Sequence, residues 1–143
     1  MSTNSYTFAK VERLKSRKQI KKLFSAGNSY AVYPLRLVWL PLPEVPAGVP
    51  VQFALTVAKK RIRRATHRNR VRRRIREAWR LNKHTLYQKI ADHPESFAFM
   101  IIFTGKEEEA TYVNIERAMQ TIIERFPKKI RARHNQNPKS QVI

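Results

Sequence analysis

Arginine side chains crowd one segment of the chain, and their chemistry is suited to binding phosphate. From Lys59 to Arg80, twelve of twenty-two residues are basic, ten of them arginine, and Glu77 is the single acid. The planar guanidinium group binds two phosphate oxygens at once, whereas the lysine ammonium acts as a point charge. These residue types indicate a nucleic-acid partner, and structured RNA is the best match.

Apolar residues recur inside this basic segment at the i, i+4, i+7, i+8 spacing of a buried helix face. They are Val71, Ile75, Ala78 and Trp79. A second face has an arginine at every fourth position, namely Arg68, Arg72, Arg76 and Arg80. A charge run without an apolar stripe is usually a solvated face or a disordered tail. The stripe therefore predicts a folded cationic helix, from Thr66 as N-cap to Asn82.

Residues that could cleave a phosphodiester are sparse in this chain. Metal-assisted cleavage needs clustered carboxylates, yet Asp92 is the sole aspartate and Glu107 to Glu109 are consecutive, so their side chains diverge around a helix. Acids in a first helical turn are explained by the helix dipole. The histidines lack ligand spacing, and we expect only His67 to touch RNA. We therefore expect no catalytic residue and no metal site.

The composition agrees with a polyanionic partner. The 143 residues include 30 basic and 10 acidic side chains, which gives a formal net charge of +20. Such a field attracts polyanions and raises their association rate. The absence of cysteine fits a reducing compartment, so we expect a cytoplasmic protein. No secretory signal or membrane-length apolar run is apparent, and no membrane partner is expected.

Seven elements are predicted around the basic segment. Ser16 and Gln19 form a capping-box pattern before a short helix that ends at Gly27. Pro34 divides a β-rich run into two strands, 29–33 and 35–40, and a loop follows at 44–50. The later elements are a strand at 51–58, the arginine helix, a strand buried on both faces at 97–103, and a helix from Tyr112 to Pro127.

This order predicts an α+β two-layer sandwich with the sequence α-β-β-β-α-β-α. A single RNA-binding domain is expected at residues 1–126, followed by a basic, flexible tail at residues 127–143. The strand at 51–58 alternates large apolar with small or polar residues. Its second face could be plain solvent-exposed sheet or the floor of a groove.

The basic segment resembles the signature of the bacterial ribonuclease P protein component. The matching residues are Lys59-Lys60, Ala65, Arg68-Asn69-Arg70-Val71-Arg72-Arg73 and Arg76-Glu77-Ala78. The match extends upstream to Glu12-Arg13-Leu14, to the helix ending Leu23-Phe24 before Gly27, and to the strand after Pro34. It covers roughly residues 8 to 126.

The resemblance implies a function and a fold. Proteins of that family are accessory subunits of a ribozyme whose RNA removes the 5′ leader of precursor tRNA, with Mg²⁺ held mainly by the RNA. The implied partners are this catalytic RNA and the leader, with no further protein required. The implied fold is ribosomal protein domain-like and contains a left-handed β-α-β crossover, against the usual right-handed preference.

The resemblance also implies two sets of site residues. The first would dock on the catalytic RNA and the cleavage-site region, and consists of Lys59, Lys60, Arg68, Asn69, Arg70, Arg72, Arg73 and Arg76. The second would line a cleft for the single-stranded leader, and consists of Ile20, Phe24, Arg36, Val38, Ala54 and Thr56. Ile20 and Val38 stand where aromatic residues are often found, and an ordinary core role for both remains open.

Three other functions differ from this one in what they require. A ribosomal or RNA-chaperone protein would share the charge and the fold class without any part in processing. A DNA-binding protein would need a recognition helix with base-reading side chains or a dimer seam, which the sequence does not suggest. A self-contained nuclease would need the carboxylates discussed above.

Overall fold

The computed structural model describes residues 10–42 and 49–136. We number the strands β1 (Asn28–Val32), β2 (Leu35–Leu42), β3 (Val51–Thr56) and β4 (Ser96–Phe103), and the helices α1 (Arg17–Ala26), α2 (Ala65–Lys89) and α3 (Tyr112–Gln136). Two short 3-10 helices lie at Lys10–Glu12 and Glu107–Glu109. Most of the predicted 44–50 loop and the last seven residues of the predicted tail fall outside the described ranges.

The strands form one sheet in the order β1-β2-β4-β3. β1 and β2 are an antiparallel hairpin that turns at Tyr33 and Pro34, and β2 pairs antiparallel with β4. β3 runs parallel to β4, so α2 is the crossover that joins two neighbouring parallel strands. The predicted α+β class and the order of elements are confirmed.

The two faces of the sheet are covered unequally. α2 and α3 pack side by side on one face, and the shorter α1 lies on the other. β4 is buried on both faces, as its apolar run predicts: Phe97, Phe99, Ile101 and Phe103 join the core under α2 and α3, while Ala98 and Met100 lie under α1. The larger core therefore supports α2, the helix with the basic residues.

α1 has the ends that the sequence predicts. The Ser16 hydroxyl accepts a hydrogen bond from the Gln19 backbone N–H at 3.3 Å, and the helix ends at Ala26. Gly27 is needed for a close approach, because a Cβ there would lie 2.3 Å from the Leu23 carbonyl oxygen and 2.6 Å from Val38 Cγ1. Its φ of −72° is open to other residues, so the glycine allows α1 to contact β2.

α2 is longer than predicted at both ends. It begins at Ala65 after the N-cap residue Arg64, which makes no side-chain capping bond, so the assignment of Thr66 as N-cap is wrong. At the other end the helix continues past Asn82 to Lys89. Lys83 and Leu86 are buried there, and this extension of the packed face stabilises two further turns.

α3 runs through Pro127 to Gln136, so the prediction that this helix ends at the proline is wrong. Proline removes one backbone donor and disfavours a helix interior. Here the apolar stripe continues on both sides of it, with Phe126 fully buried and Ile130 nearly so. Burial of this stripe offsets the local cost, and the first part of the predicted tail is helical.

A buried ion pair joins the start of the described chain to α2. Lys83 is only 1% exposed, and its Nζ donates to both carboxylate oxygens of Glu12 at 2.9 and 2.8 Å. The Tyr87 hydroxyl donates to the same carboxylate at 2.7 Å. Next to it the Leu14 N–H donates to the Phe53 carbonyl at 2.9 Å, which covers the edge of β3. The sequence did not reveal this pairing, because its members lie seventy-one residues apart.

We expect Glu12→Gln to lower the free energy of unfolding by about 3–5 kcal/mol, because Lys83 would keep a buried charge without its carboxylate. Urea denaturation followed by circular dichroism measures this loss. Glu108→Gln removes the same charge from an exposed side chain and should change stability by no more than about 0.5 kcal/mol. Equal effects of the two substitutions would contradict a stabilising role for the buried pair.

Candidate nucleic-acid interface

The apolar stripe of α2 holds the helix rigidly against the sheet. Val71, Ile75, Ala78 and Trp79 are all buried, as predicted. The Trp79 ring stacks on Phe53 of β3 with 4.6 Å between ring centroids and 7° between planes. Because this side of the helix is fixed in the core, the remaining side chains of α2 must project outward.

Eight cations of the basic segment are exposed and have no hydrogen-bond or ion-pair partner within the described chain. They are Lys59, Lys60, Arg61, Arg63, Arg64, Arg70, Arg73 and Arg76. The first five lie in the connection from β3 to α2, and the last three lie on α2. These eight side chains, all between Lys59 and Arg76, can bind phosphate oxygens without breaking any contact within the described chain.

Other basic side chains of α2 bond within the protein. The Arg68 guanidinium donates to the Ile62 and Arg63 carbonyl oxygens at 3.1 and 2.7 Å, and so ties the connection to the helix. Arg72 donates to the Asn69 side-chain oxygen at 3.0 Å. The Arg74 guanidinium donates to the Ala110 carbonyl oxygen at 2.6 Å. The arginines are therefore not one uniform row, since some support the backbone that presents the others.

Glu77, the single acid of the segment, is paired with Arg80 on the next turn. The hydrogen bond from Arg80 lowers the pKa of the Glu77 carboxyl, and the same bond raises the pKa of the Arg80 guanidinium. Arg80 is thereby neutralised locally. The cationic face of α2 is strongest in its first three turns, upstream of this pair.

The acidic residues of the 3-10 helix Glu107–Glu109 do not form a cluster, because Glu107 and Glu109 bond to different partners. Glu107 Oε2 lies 2.7 Å from His67 Nδ1, and Glu109 accepts from the Tyr33 hydroxyl and from the Lys106 backbone N–H. Among the described residues, no three histidine, aspartate or glutamate side chains lie close enough to hold a metal ion together. The Mg²⁺ that the family resemblance assigns to RNA stays a prediction.

The six cleft residues share one side of the molecule, on α1 and on the sheet face beneath it. The strand register aligns Val38, Met100 and Ala54 in one row across the sheet, and Arg36, Ile102 and Thr56 in the next row. Alternation along each strand places Arg36 with Val38 and Ala54 with Thr56, and the register brings the two pairs onto one face. Ile20 is partly buried against the same cluster, from α1.

These six side chains differ in how far a ligand could reach them. Phe24 is 57% exposed, so one aromatic ring is open to solvent at the cleft. Val38 is 8% exposed and lies under α1 beside Gly27, which makes it a core residue. Arg36 is partly exposed, and its Nη1 donates to the Ser29 hydroxyl at 3.1 Å. Ile20, Ala54 and Thr56 have intermediate exposure, so Val38 is the member of the six that a ligand could not reach.

The cleft and the cationic segment meet at the end of β3. Thr56 is the last residue of that strand, and Lys59 follows three residues later. Three residues of extended chain span at most about 11 Å. One extended ligand strand can therefore contact both surfaces.

The described helices include none long and apolar enough to cross a membrane.

Comparison with known proteins agrees with the resemblance in the sequence. The family model described as Ribonuclease P matches residues 8–127. A ribonuclease P protein component from Porphyromonas gingivalis is 40% identical over 121 residues, which cover 83% of this chain and 85% of the relative. The aligned region therefore covers most of both chains.

Solved structures show the same fold. The RNase P protein of Staphylococcus aureus superposes with a TM-score of 0.62 at 19% identity, covering 80% of this chain and 94% of that one. The RNase P protein of Thermotoga maritima has a TM-score of 0.60 at 22% identity, covering 80% and 96%. At this level of identity the likeness concerns the fold alone.

We expect Arg68→Ala to lower the free energy of unfolding by about 1–3 kcal/mol, because two backbone carbonyls would lose their donor. Arg73→Ala removes the same charge from an exposed side chain that has no partner in the described part of the chain, and should stay within about 0.5 kcal/mol of the wild type. Urea denaturation of both variants measures the difference. Equal stability of the two variants would show that Arg68 does not support the connection.

Proposed function

The chain belongs to the family of ribonuclease P protein components, which makes it the protein subunit of ribonuclease P in tRNA processing, and we propose that it binds both the catalytic RNA and the 5′ leader of precursor tRNA. The observation that supports RNA binding most directly is the set of eight exposed cations between Lys59 and Arg76 that have no partner among the described residues. Their fixed scaffold lowers the entropy that would be lost on binding.

We assign the contact with the catalytic RNA to the β3–α2 connection and the first turns of α2. Lys59, Lys60, Arg70, Arg73 and Arg76 would contact phosphates directly, since they are exposed. Arg68, Asn69 and Arg72 would act mainly by holding the local backbone and one another. This division follows from their different hydrogen bonds, and it separates residues that bind from residues that position.

The leader would occupy the cleft between α1 and the sheet. The exposed Phe24 ring offers a stacking surface for one base, which is worth about 1–3 kcal/mol per base in comparable sites. Arg36 would pair with a leader phosphate, and Ala54 and Thr56 would form a floor of small side chains. Ile20 and the buried Val38 would shape the cleft without stacking.

In the proposed mechanism the protein contributes positive charge and position, while the RNA and its Mg²⁺ supply the hydrolytic chemistry. Leader and catalytic RNA are both polyanions, so their approach is opposed by electrostatic repulsion. Cations placed between the two backbones reduce this repulsion and release condensed counterions. The cleft would align the leader strand beside that contact, because the two surfaces meet where β3 ends.

Binding to the catalytic RNA should become less salt-dependent in the triple variant Arg70→Ala, Arg73→Ala, Arg76→Ala. Loss of three phosphate contacts is expected to reduce the slope of log Kd against log salt by about 2 to 3. Filter binding across a range of salt concentrations measures the slope. The triple variant Lys89→Ala, Lys128→Ala, Arg131→Ala removes equal charge at the other ends of α2 and α3 and should keep the slope. Equal slopes for both variants would exclude α2 as the interface.

Cleavage of precursor tRNA by the catalytic RNA at low Mg²⁺ should require the protein. Phe24→Ala is expected to raise the precursor concentration for half-maximal cleavage by about 5- to 150-fold, because one stacking contact is lost. Binding of mature tRNA, which has no leader, is the control and should not change. A protein that binds RNA yet leaves low-Mg²⁺ cleavage unaffected would instead be a non-catalytic RNA-binding module, such as a ribosomal or RNA-chaperone protein.

A further inference from the structure

A second concave surface lies between the edge strand β1 and α3, and its lining residues are distinct from those of the cleft and of the cationic segment. We call it the β1–α3 groove. Its volume is about 400 Å³, and its polar lining consists of Tyr33, Glu109, Asn114, Arg117, Thr121 and Arg125. None of these residues belongs to the sites assigned above, so the proposed function leaves the groove without a role.

Two arginines of the groove are available to a ligand. Arg117 and Arg125 are both exposed, and neither guanidinium has a carboxylate partner within the described chain. They are eight residues apart on one face of α3, which corresponds to about 12 Å along the helix axis. Lys129 adds a third cation nearby, with its Nζ 5.2 Å from the centre of the Tyr30 ring.

Tyr33 provides an aromatic surface at the end of the groove formed by the β1–β2 turn. Its side chain is 57% exposed, and its hydroxyl donates to Glu109. The β1–β2 turn is packed against the segment that follows β4. The Thr104 N–H donates to the Pro34 carbonyl at 2.8 Å, and a Cβ on Gly105 would lie 2.6 Å from Pro34 Cβ. The ring is therefore held in place with much of its surface open.

Glu109 is the acid of the groove, and it does not cancel the two arginines. Its carboxylate is bound by the Tyr33 hydroxyl and the Lys106 N–H, which places the negative charge at the tyrosine end. Asn114 and Thr121 donate to backbone carbonyls of Glu109 and Arg117. Two guanidinium groups against one carboxylate leave a net positive charge beside the open ring.

The groove is linked to the cationic segment through the 3-10 helix Glu107–Glu109. Glu107 contacts His67 at the start of α2, and Glu109 contacts Tyr33. The positive charge of Arg61 also acts on Tyr33, where it opposes the rise in the pKa of the hydroxyl caused by Glu109. An RNA chain bound to the β3–α2 connection therefore passes close to the groove.

We propose that the β1–α3 groove is an additional RNA site, which binds single-stranded ribonucleotides with phosphates on Arg117 and Arg125 and a base stacked on Tyr33. Unpaired guanidinium groups beside an open aromatic ring are the combination by which single strands are held without sequence preference. The inference rests on the proposed function, because the assembled ribonucleoprotein is what would bring an unpaired strand to this end of the sheet. The strand could come from the catalytic RNA or from precursor tRNA.

The charge contribution is tested in the assembled complex with the double variant Arg117→Ala, Arg125→Ala. We expect the RNA that occupies the groove to bind this variant more weakly. For that RNA the slope of log Kd against log salt should fall by about 1.4 to 1.8, which is the contribution of two phosphates. The catalytic RNA is titrated with protein first, and precursor tRNA is then titrated with the holoenzyme. The matched control is Lys89→Ala, Arg131→Ala, which removes two exposed cations elsewhere and should leave both slopes unchanged.

The stacking contribution is tested with Tyr33→Ala and Tyr33→Phe. The alanine variant should bind the same RNA about 5- to 150-fold more weakly, whereas the phenylalanine variant keeps the ring and should bind within about threefold of the wild type. RNA with 4-thiouridine in its single-stranded regions should also crosslink to the Tyr33 side chain itself, which mass spectrometry distinguishes from a crosslink to the cleft residue Phe24. Equal losses in both Tyr33 variants would attribute the effect to the Glu109 hydrogen bond and overturn the stacking assignment.

Two outcomes separate this inference from the proposed function. If the wild-type protein fails to bind the catalytic RNA, both are wrong. If the Arg70, Arg73 and Arg76 variant behaves as expected while the Arg117 and Arg125 variant keeps wild-type affinity and slope for both RNAs, only the groove assignment is wrong. A third outcome concerns an acidic peptide such as polyglutamate. If the peptide binds the wild-type protein but not the groove variants, while those variants keep their affinity for RNA, the occupant is an acidic protein segment and RNA binding in the groove is overturned.

Discussion

The stack of Trp79 on Phe53 is the contact on which the rest of this molecule depends. It joins the middle of α2 to β3 with nearly parallel rings, and both residues are fully buried. Burial of two large aromatic side chains stabilises the helix against the repulsion among its own arginines. Since the orientation of α2 is fixed by this contact, the direction of its cations is fixed as well.

A net charge of +20 opposes a compact state, and the protein limits this repulsion in several local ways. Arg68 and Arg74 donate to backbone carbonyls, Arg80 is paired with Glu77, and Lys83 is paired with Glu12 inside the fold. These contacts use part of the positive charge to hold the backbone together. The cations that remain available to a ligand include those in the β3–α2 connection, those on the outer face of α2, and Arg117 and Arg125 on α3.

The strand register explains why the proposed RNA surfaces lie close to one another. Val32, Leu35, Thr56 and Phe103 all lie at one end of the sheet. The β1–β2 turn, the β3–α2 connection and the segment after β4 therefore emerge together. Tyr33, Lys59 and Glu109 belong to these three connections, so the cleft, the cationic segment and the β1–α3 groove are neighbours although their residues are distant in sequence.

Features that depend on local periodicity could be predicted from the amino-acid sequence. The spacing of Val71, Ile75, Ala78 and Trp79 was enough to predict the buried face of α2. Strand alternation was enough to place Arg36 with Val38, and Ala54 with Thr56, on one face of their own strand. The family was evident from the basic string, because its residue types and spacing are specific. Helix ends were predicted less well, since burial of Leu86 and Ile130 extends α2 and α3 beyond their local stop signals.

Which charged residues are available to a ligand depends on tertiary contacts. Arg68 and Arg73 look alike in the sequence, yet one bonds to the carbonyls of residues 62 and 63 and the other is exposed. Val38 is covered by α1, while Phe24 on the same cleft is open. Accessibility and pairing depend on contacts between segments far apart in the chain, such as Glu12 with Lys83 or Tyr33 with Glu109, and local periodicity contains no information about them.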